Sequence, residues 1–90
     1  MKTIKTLYEG RVQGVGFRWT VKNHARGFDV AGTVKNLPDG RVELVAQGGS
    51  DEVAGFLEAI RQSDLAGHIS LESPEIIAYI PNLRGFQIIE

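Results

Sequence analysis

A chain of 90 residues is one domain, 1–90, because domains run to roughly 100–200 residues and nothing is left over for a second. With 42% hydrophobic and 23% charged residues it is not disordered, and with no cysteine it has no disulfide, thiolate metal site or thiol nucleophile. The net charge of −1 hides a division: residues 1–36 carry seven basic and two acidic groups, residues 37–90 three and nine. Anions are therefore drawn to the first part, while the overall balance is too acidic for a general nucleic-acid binder.

Thr3–Arg11 alternates as a strand, with Ile4, Thr6, Tyr8, Gly10 and Val12 on one face. Phe17, Val21, Ala25 and Phe28 recur at helical spacing, and Gly27 is placed to end that helix. Val30–Asn36 is predicted as a second strand and Arg41–Gly48 as a third, joined by the turn Leu37-Pro38-Asp39-Gly40. Ser50 suits an N-cap, with Asp51 and Glu52 following at the positive end of a second helix. That helix turns Val53, Phe56, Leu57 and Ile60 to a core, and Gly55 within it implies close packing or a loss of stability. Ile69–Ser73 and Ile76–Ile80 read as one edge strand interrupted at Pro74, and Phe86–Ile89 as a short closing strand.

The order β-α-β-β-α-β plus a short strand predicts an α+β, ferredoxin-like sandwich, an antiparallel sheet with both helices on one face. In that plan the first two strands run the same way with the third between them. The loop after strand one and the end of strand two then meet at one sheet edge.

That edge receives the informative segment, Gly10-Arg-Val-Gln-Gly-Val-Gly-Phe-Arg18. It leaves a strand, passes two glycines one residue apart, and enters a helix with an arginine in its first turn. Gln13, Gly14, Val15, Gly16 and Phe17 supply backbone N–H groups to one concavity, the helix end adds partial positive charge, and Arg18 adds a planar fork of donors. The set describes a cradle for one phosphate-sized dianion. Its glycine spacing is neither a dinucleotide fingerprint nor a Walker loop. On spacing alone, a tight turn with a solvated arginine is the commoner origin of such glycines. Against it, a helix N-terminus prefers acidic side chains, so a cation there makes sense beside an anion. Asn36 ends strand two on the same edge, either as a turn residue bonding its own backbone or as a functional side chain opposite Arg18.

Three blocks resemble the acylphosphatases: Gly10–Arg18, Gly32-Thr-Val-Lys-Asn-Leu-Pro-Asp-Gly-Arg-Val-Glu43, and Gly85-Phe-Gln-Ile88. The resemblance spans essentially the whole chain. It implies the same ferredoxin-like fold and hydrolysis of acyl phosphates, with Arg18 binding the substrate phosphate and Asn36 positioning the attacking water. Thr33 stands where the family commonly has tryptophan, and Phe28-Asp29-Val30 replaces its usual Leu-Gly-Leu. The stretch Ser63–Asn82 matches weakly.

The remaining candidates read as structure. His24 and His68 lack a carboxylate or serine at motif spacing, and Tyr8, Phe17, Trp19 and Phe28 are expected in the core or at its margin. Glu43, Glu52 and Glu58 fall on different elements and read as solvated faces. An RNA-recognition module shares the element order, but strand three lacks the exposed aromatics and basic run it needs. No group able to act as acid, base or nucleophile converges on Arg18 and Asn36, since neither arginine nor asparagine titrates in the working range. Such a site suits a leaving group that departs unassisted, as the carboxylate of an acyl phosphate does. No metal or other cofactor is expected. A non-catalytic anion-binding module on the same fold is the alternative. The expected partners are a small acyl phosphate and, as competitive ligands, inorganic phosphate or sulfate, with no nucleic acid and no membrane. No apolar run reaches the ~18 residues of a membrane span, and Met1–Lys5 lacks the apolar stretch of a secretory signal, so a cytoplasmic monomer is expected.

Overall fold

The computed structural model describes residues 1–90. Its elements are β1 (Lys2–Gly10), α1 (Phe17–Ala25), β2 (Val30–Asn36), β3 (Val42–Gly48), α2 (Ser50–Arg61), a 3₁₀ turn (Asp64–His68), β4 (Ile69–Ile76) and β5 (Phe86–Ile88). The strands lie in the order β4-β1-β3-β2-β5. β3 runs antiparallel to both β1 and β2, so those two strands run the same way with β3 between them, as the element order required. The closing strand adds one parallel pair, β2 with β5, which makes the five-stranded sheet mixed rather than wholly antiparallel.

Alternation on the strands and the helical stripes feed one cluster of 14 buried residues. Tyr8, Val34, Val42, Leu44 and Ala46 of the sheet meet Phe17, Val21 and Ala25 of α1 and Val53, Phe56, Leu57 and Ile60 of α2. Gly55 shows why the second helix tolerates glycine: a Cβ there would lie 2.8 Å from the Phe28 ring, which occupies that space and packs on Phe56. Close packing was the expected alternative to instability, and it is what occurs.

Three expectations need correction. The cap of α2 is Gly49, with Ser50 already helical and no side-chain cap present; Gly49 C=O accepts from Val53 N–H. β4 runs without interruption through Pro74, which pairs with Thr6, and residues 77–80 do not extend it. Ile76 pairs with Ile4 and Ile77 N–H donates to Thr3 C=O, after which β1 has almost no residues left to pair. The chain instead crosses the sheet end, where Gln47 on the outward side of β3 is buried beneath it. Trp19, finally, is 67% exposed and lies outside the core.

Candidate active site

The register fixes where the two predicted residues meet. Val42 of β3 pairs with Tyr8 on one side and with Asn36 on the other, so Asn36 stands level with the end of β1, two strand spacings away. That separation is about 10 Å. Asn36 continues the core-facing alternation of Val34, which puts its side chain on the helix side of the sheet, where α1 begins.

The loop between β1 and α1 closes the gap. Gly14 and Gly16 have φ of 76° and 77°, while Val15 between them has negative φ. Alternation of left- and right-handed residues turns successive N–H groups into one concavity, and a side chain at either glycine would be strained by the backbone conformation alone. Gly16 is also the N-cap of α1. The first helical hydrogen bond there is Thr20 N–H to Gly16 C=O, and neither a capping side chain nor an acidic residue serves the first turn. The N–H groups of residues 16–19 therefore have no acceptor within the helix. Arg18 projects from that turn.

Gly14, Gly16, Phe17, Arg18, Val12 and Asn36 line one cavity of about 180 Å³, together with Trp19 and Ile88. The cradle and the asparagine, predicted from opposite ends of the sequence block, share a wall. Asn36 Oδ1 is buried and has no hydrogen-bond partner. A turn residue bonding its own backbone would use that atom, and here it does not. That atom is a buried acceptor without a donor, in a residue that lines the cavity.

Gln13 behaves differently from its neighbours. Its side-chain amide donates to Leu37 C=O and Arg41 C=O, each at 2.9 Å, and so ties the loop to the turn that follows Asn36. Asp39 holds the same turn by accepting from Arg41 N–H at 3.0 Å and Arg41 Nε at 2.8 Å. The Arg41 backbone bond, with the Arg41 side chain beside it, keeps the Asp39 carboxyl below its usual range. Phe17 is buried against Tyr8, ring centroids 5.1 Å apart, so its side chain belongs to the core. Val15 is exposed at the loop crest.

Trp19 and Ile88 escaped the sequence reading. Trp19 follows Phe17 by two positions, which places it across the helix from the Phe17–Val21–Ala25 stripe, a signal that was available. Ile88 reaches the cavity only because β5 docks parallel to β2, which no local pattern announces. His24 and His68 line a separate cavity of about 370 Å³ with Thr20, Ser63 and Asp64, behind Val15. A serine and a carboxylate do stand near them in space, though not at motif spacing in the sequence. Yet Ser63 Oγ is engaged with Ile60 C=O and Leu65 N–H, and neither histidine bonds Asp64. No group of three or more His, Asp or Glu side chains is placed to hold a metal ion.

Fold and site together define a ferredoxin-like sandwich with a glycine-turned loop, an open helix end and an arginine around one cavity. The comparisons make the class particular. The acylphosphatase family model matches residues 4–88. An acylphosphatase of Lactobacillus johnsonii is 39% identical over 90 residues, covering 99% of each chain, and one of Lactobacillus gasseri is 47% identical over 70 residues, 77% of each. The crystal structure of acylphosphatase from Bacillus subtilis superposes with a TM-score of 0.90 at 33% identity, covering all of both chains. The chain belongs to the acylphosphatase family. The fold and the hydrolase activity implied by the resemblance follow, and the non-catalytic alternative gives way. No helix of the protein is long and apolar enough to cross a membrane.

Proposed function

We propose that this hydrolase of acyl phosphates cleaves the carboxyl–phosphate anhydride with no acid, base or nucleophile of its own. The observation that carries this reading is the buried, unpartnered Asn36 Oδ1 in the cavity it shares with Arg18 and the open N-terminus of α1. Arg18 and the backbone N–H groups of Gln13–Phe17 hold the phosphoryl oxygens where charge spreads in the transition state. Asn36 Oδ1 accepts one O–H of a water, which leaves an oxygen lone pair free to attack phosphorus in line. A bond forms from the water oxygen to phosphorus, and the phosphorus–oxygen bond to the carboxyl group breaks. The electron pair departs with the carboxylate, a weak base that needs no proton, and a proton of the water passes to a phosphoryl oxygen. The products are carboxylate and dihydrogen phosphate.

The same reading makes the protein a cytoplasmic monomer. One chain supplies the whole lining of the cavity, and a chain without cysteine gains no disulfide from an oxidising compartment.

The test is hydrolysis of benzoyl phosphate in ¹⁸O-water. The label is expected in phosphate, with activity that survives a chelator. Inorganic phosphate is expected to inhibit competitively and, at 100 times Kd, to stabilise the fold by about 2.7 kcal/mol. Label in benzoate would show attack at the carbonyl carbon and end the role given to Asn36.

A further inference from the structure

The cavity that holds Arg18 and Asn36 does not close on the side of β5. Trp19 and Ile88 line both it and an adjoining pocket of about 120 Å³ whose other residues are Lys22, Asn23 and Arg26. Lys22 and Arg26 in turn line a third pocket of about 190 Å³ that ends at Phe86. The three form a groove between α1 and β5 that starts at the phosphoryl site. Positions 19, 22, 23 and 26 are spaced i, i+3, i+4 and i+7, so one face of α1 supplies its wall.

The charges along this face are free. Lys5, Lys35, Arg41 and Arg61 are each paired with carboxylates; Arg18, Lys22 and Arg26, like Lys2, Arg11 and Arg84 elsewhere, have no carboxylate within 4.0 Å, and these three stand together on one helix and its C-cap. The carbonyl end of α1 favours a cation in the last turn, typically by 0.3–1 kcal/mol. That preference does not require the cation to stand in line with Arg18 and beside an exposed tryptophan.

Resting on the function proposed above, we infer that this groove receives the acyl group of the substrate, and that Lys22 selects acyl groups bearing a second anionic group. Once the phosphoryl group sits on Arg18, the acyl part must leave the cavity, and the groove is the open side with an apolar wall. Trp19 offers a flat apolar surface to an aromatic or hydrocarbon portion. Lys22 follows Arg18 by one helical turn, roughly 6 Å along the axis. Its flexible stem brings the ammonium to a carboxylate at the far end of such a group. Arg26 lies a further turn away and acts more weakly.

The experiment compares para-carboxybenzoyl phosphate with para-methylbenzoyl phosphate, which share size, shape and leaving-group class and differ in the distal charge. Wild type is expected to favour the carboxy compound about tenfold in kcat/KM, mostly through KM, with the preference shrinking as salt screens it. Lys22→Ala should abolish the preference and Lys22→Glu invert it, the two compounds being compared within each variant, with an unchanged melting midpoint. Equal kcat/KM for the two compounds in wild type would overturn the inference, as would a Lys22→Glu variant that slows both alike. In those cases hydrolysis of the methyl compound leaves the underlying function standing. Failure to hydrolyse either compound defeats that function and this inference with it.

Discussion

The two ends of the sheet treat polar side chains in opposite ways. At the end where β1 begins, Thr3 Oγ1 donates to Gln47 Oε1 at 2.6 Å, Gln47 Nε2 donates to Ile80 C=O at 3.0 Å, and Ile80 N–H donates back to Gln47 Oε1 at 2.8 Å. Each buried polar atom of that network has its partner. At the end where β1 finishes, Asn36 Oδ1 has none, the first turn of α1 is uncapped, and Arg18 has no carboxylate. The first arrangement stabilises the fold and the second withholds bonds that the fold had the means to make. Lack of a partner is not sufficient by itself: Thr6 Oγ1 and Tyr8 Oη are also unpartnered yet line no cavity, and His68 Nδ1 is unpartnered in a residue whose cavity holds no arginine. What marks the site is an unpartnered group on a residue that shares a cavity with Arg18 and the open first turn of α1.

The largest effects are expected from breaking the open end. Arg18→Lys keeps the charge and loses the planar fork, so it should cost ~10²–10³ in kcat/KM and weaken phosphate binding as well. Steady-state kinetics together with a phosphate titration test it. Near-wild-type kcat/KM in the folded variant would remove Arg18 from the chemistry.

Asn36→Ala separates rate from affinity. Removal of a group that only orients water should cut kcat by about 10²-fold while phosphate Kd stays close to that of wild type. If Asn36 served the turn instead, kcat of the folded fraction would be normal and only the melting midpoint would fall. Measuring kcat, Kd and midpoint on one preparation distinguishes the two.

At the saturated end the expected pattern reverses. Gln47→Leu leaves the Thr3 hydroxyl and both backbone groups of Ile80 without partners, at a cost of about 1–3 kcal/mol. For a domain of this size the midpoint should drop by about 4–8 °C per kcal/mol, with kcat/KM unchanged. A loss of activity at constant stability would mean that the two ends are coupled.

Legibility in the sequence followed the same division. The loop and Asn36 could be placed together because their signals are local: glycines that suit positive φ, a strand that ends in asparagine, and a β-α-β order that brings both to one edge, although on spacing alone both also suit plain turns. Gln47 could not be, because an outward polar residue on a strand looks solvated until another segment lies across it. Residues 77–80 alternate well enough for a strand, but strand length is set by the partner, and β1 runs out at Lys2. Ser50 has the right chemistry for a cap, yet helical hydrogen bonding starts one residue earlier at Gly49. Ile88 enters the site through a parallel pairing between residues more than fifty positions apart. Long-range placement, rather than residue chemistry, was what the sequence withheld.

The smallest effect is expected at an unpartnered group that lines no cavity. Tyr8 is fully buried with its ring on Phe17, and its hydroxyl has no partner. Burial pushes its phenol well above the ordinary tyrosine range; Glu72 beside it adds to the shift and Arg61 opposes it. A folded-state pKa raised in this way gives stability that is complete below the ordinary value of about 10 and lost as pH rises beyond it, because the unfolded chain releases the proton first. Above that point each pH unit should cost about 1.4 kcal/mol. Tyr8→Phe removes both the orphaned hydroxyl and the titration. At neutral pH it should stabilise by up to ~1 kcal/mol with unchanged kcat/KM, since the atom deleted faces no cavity. Denaturant melts from pH 8 to 11 should show an alkaline decline in wild type that is shallower in the variant. Parallel declines would move the alkaline sensitivity away from Tyr8. A fall in kcat/KM would show that an unpartnered atom serves the site without lining it.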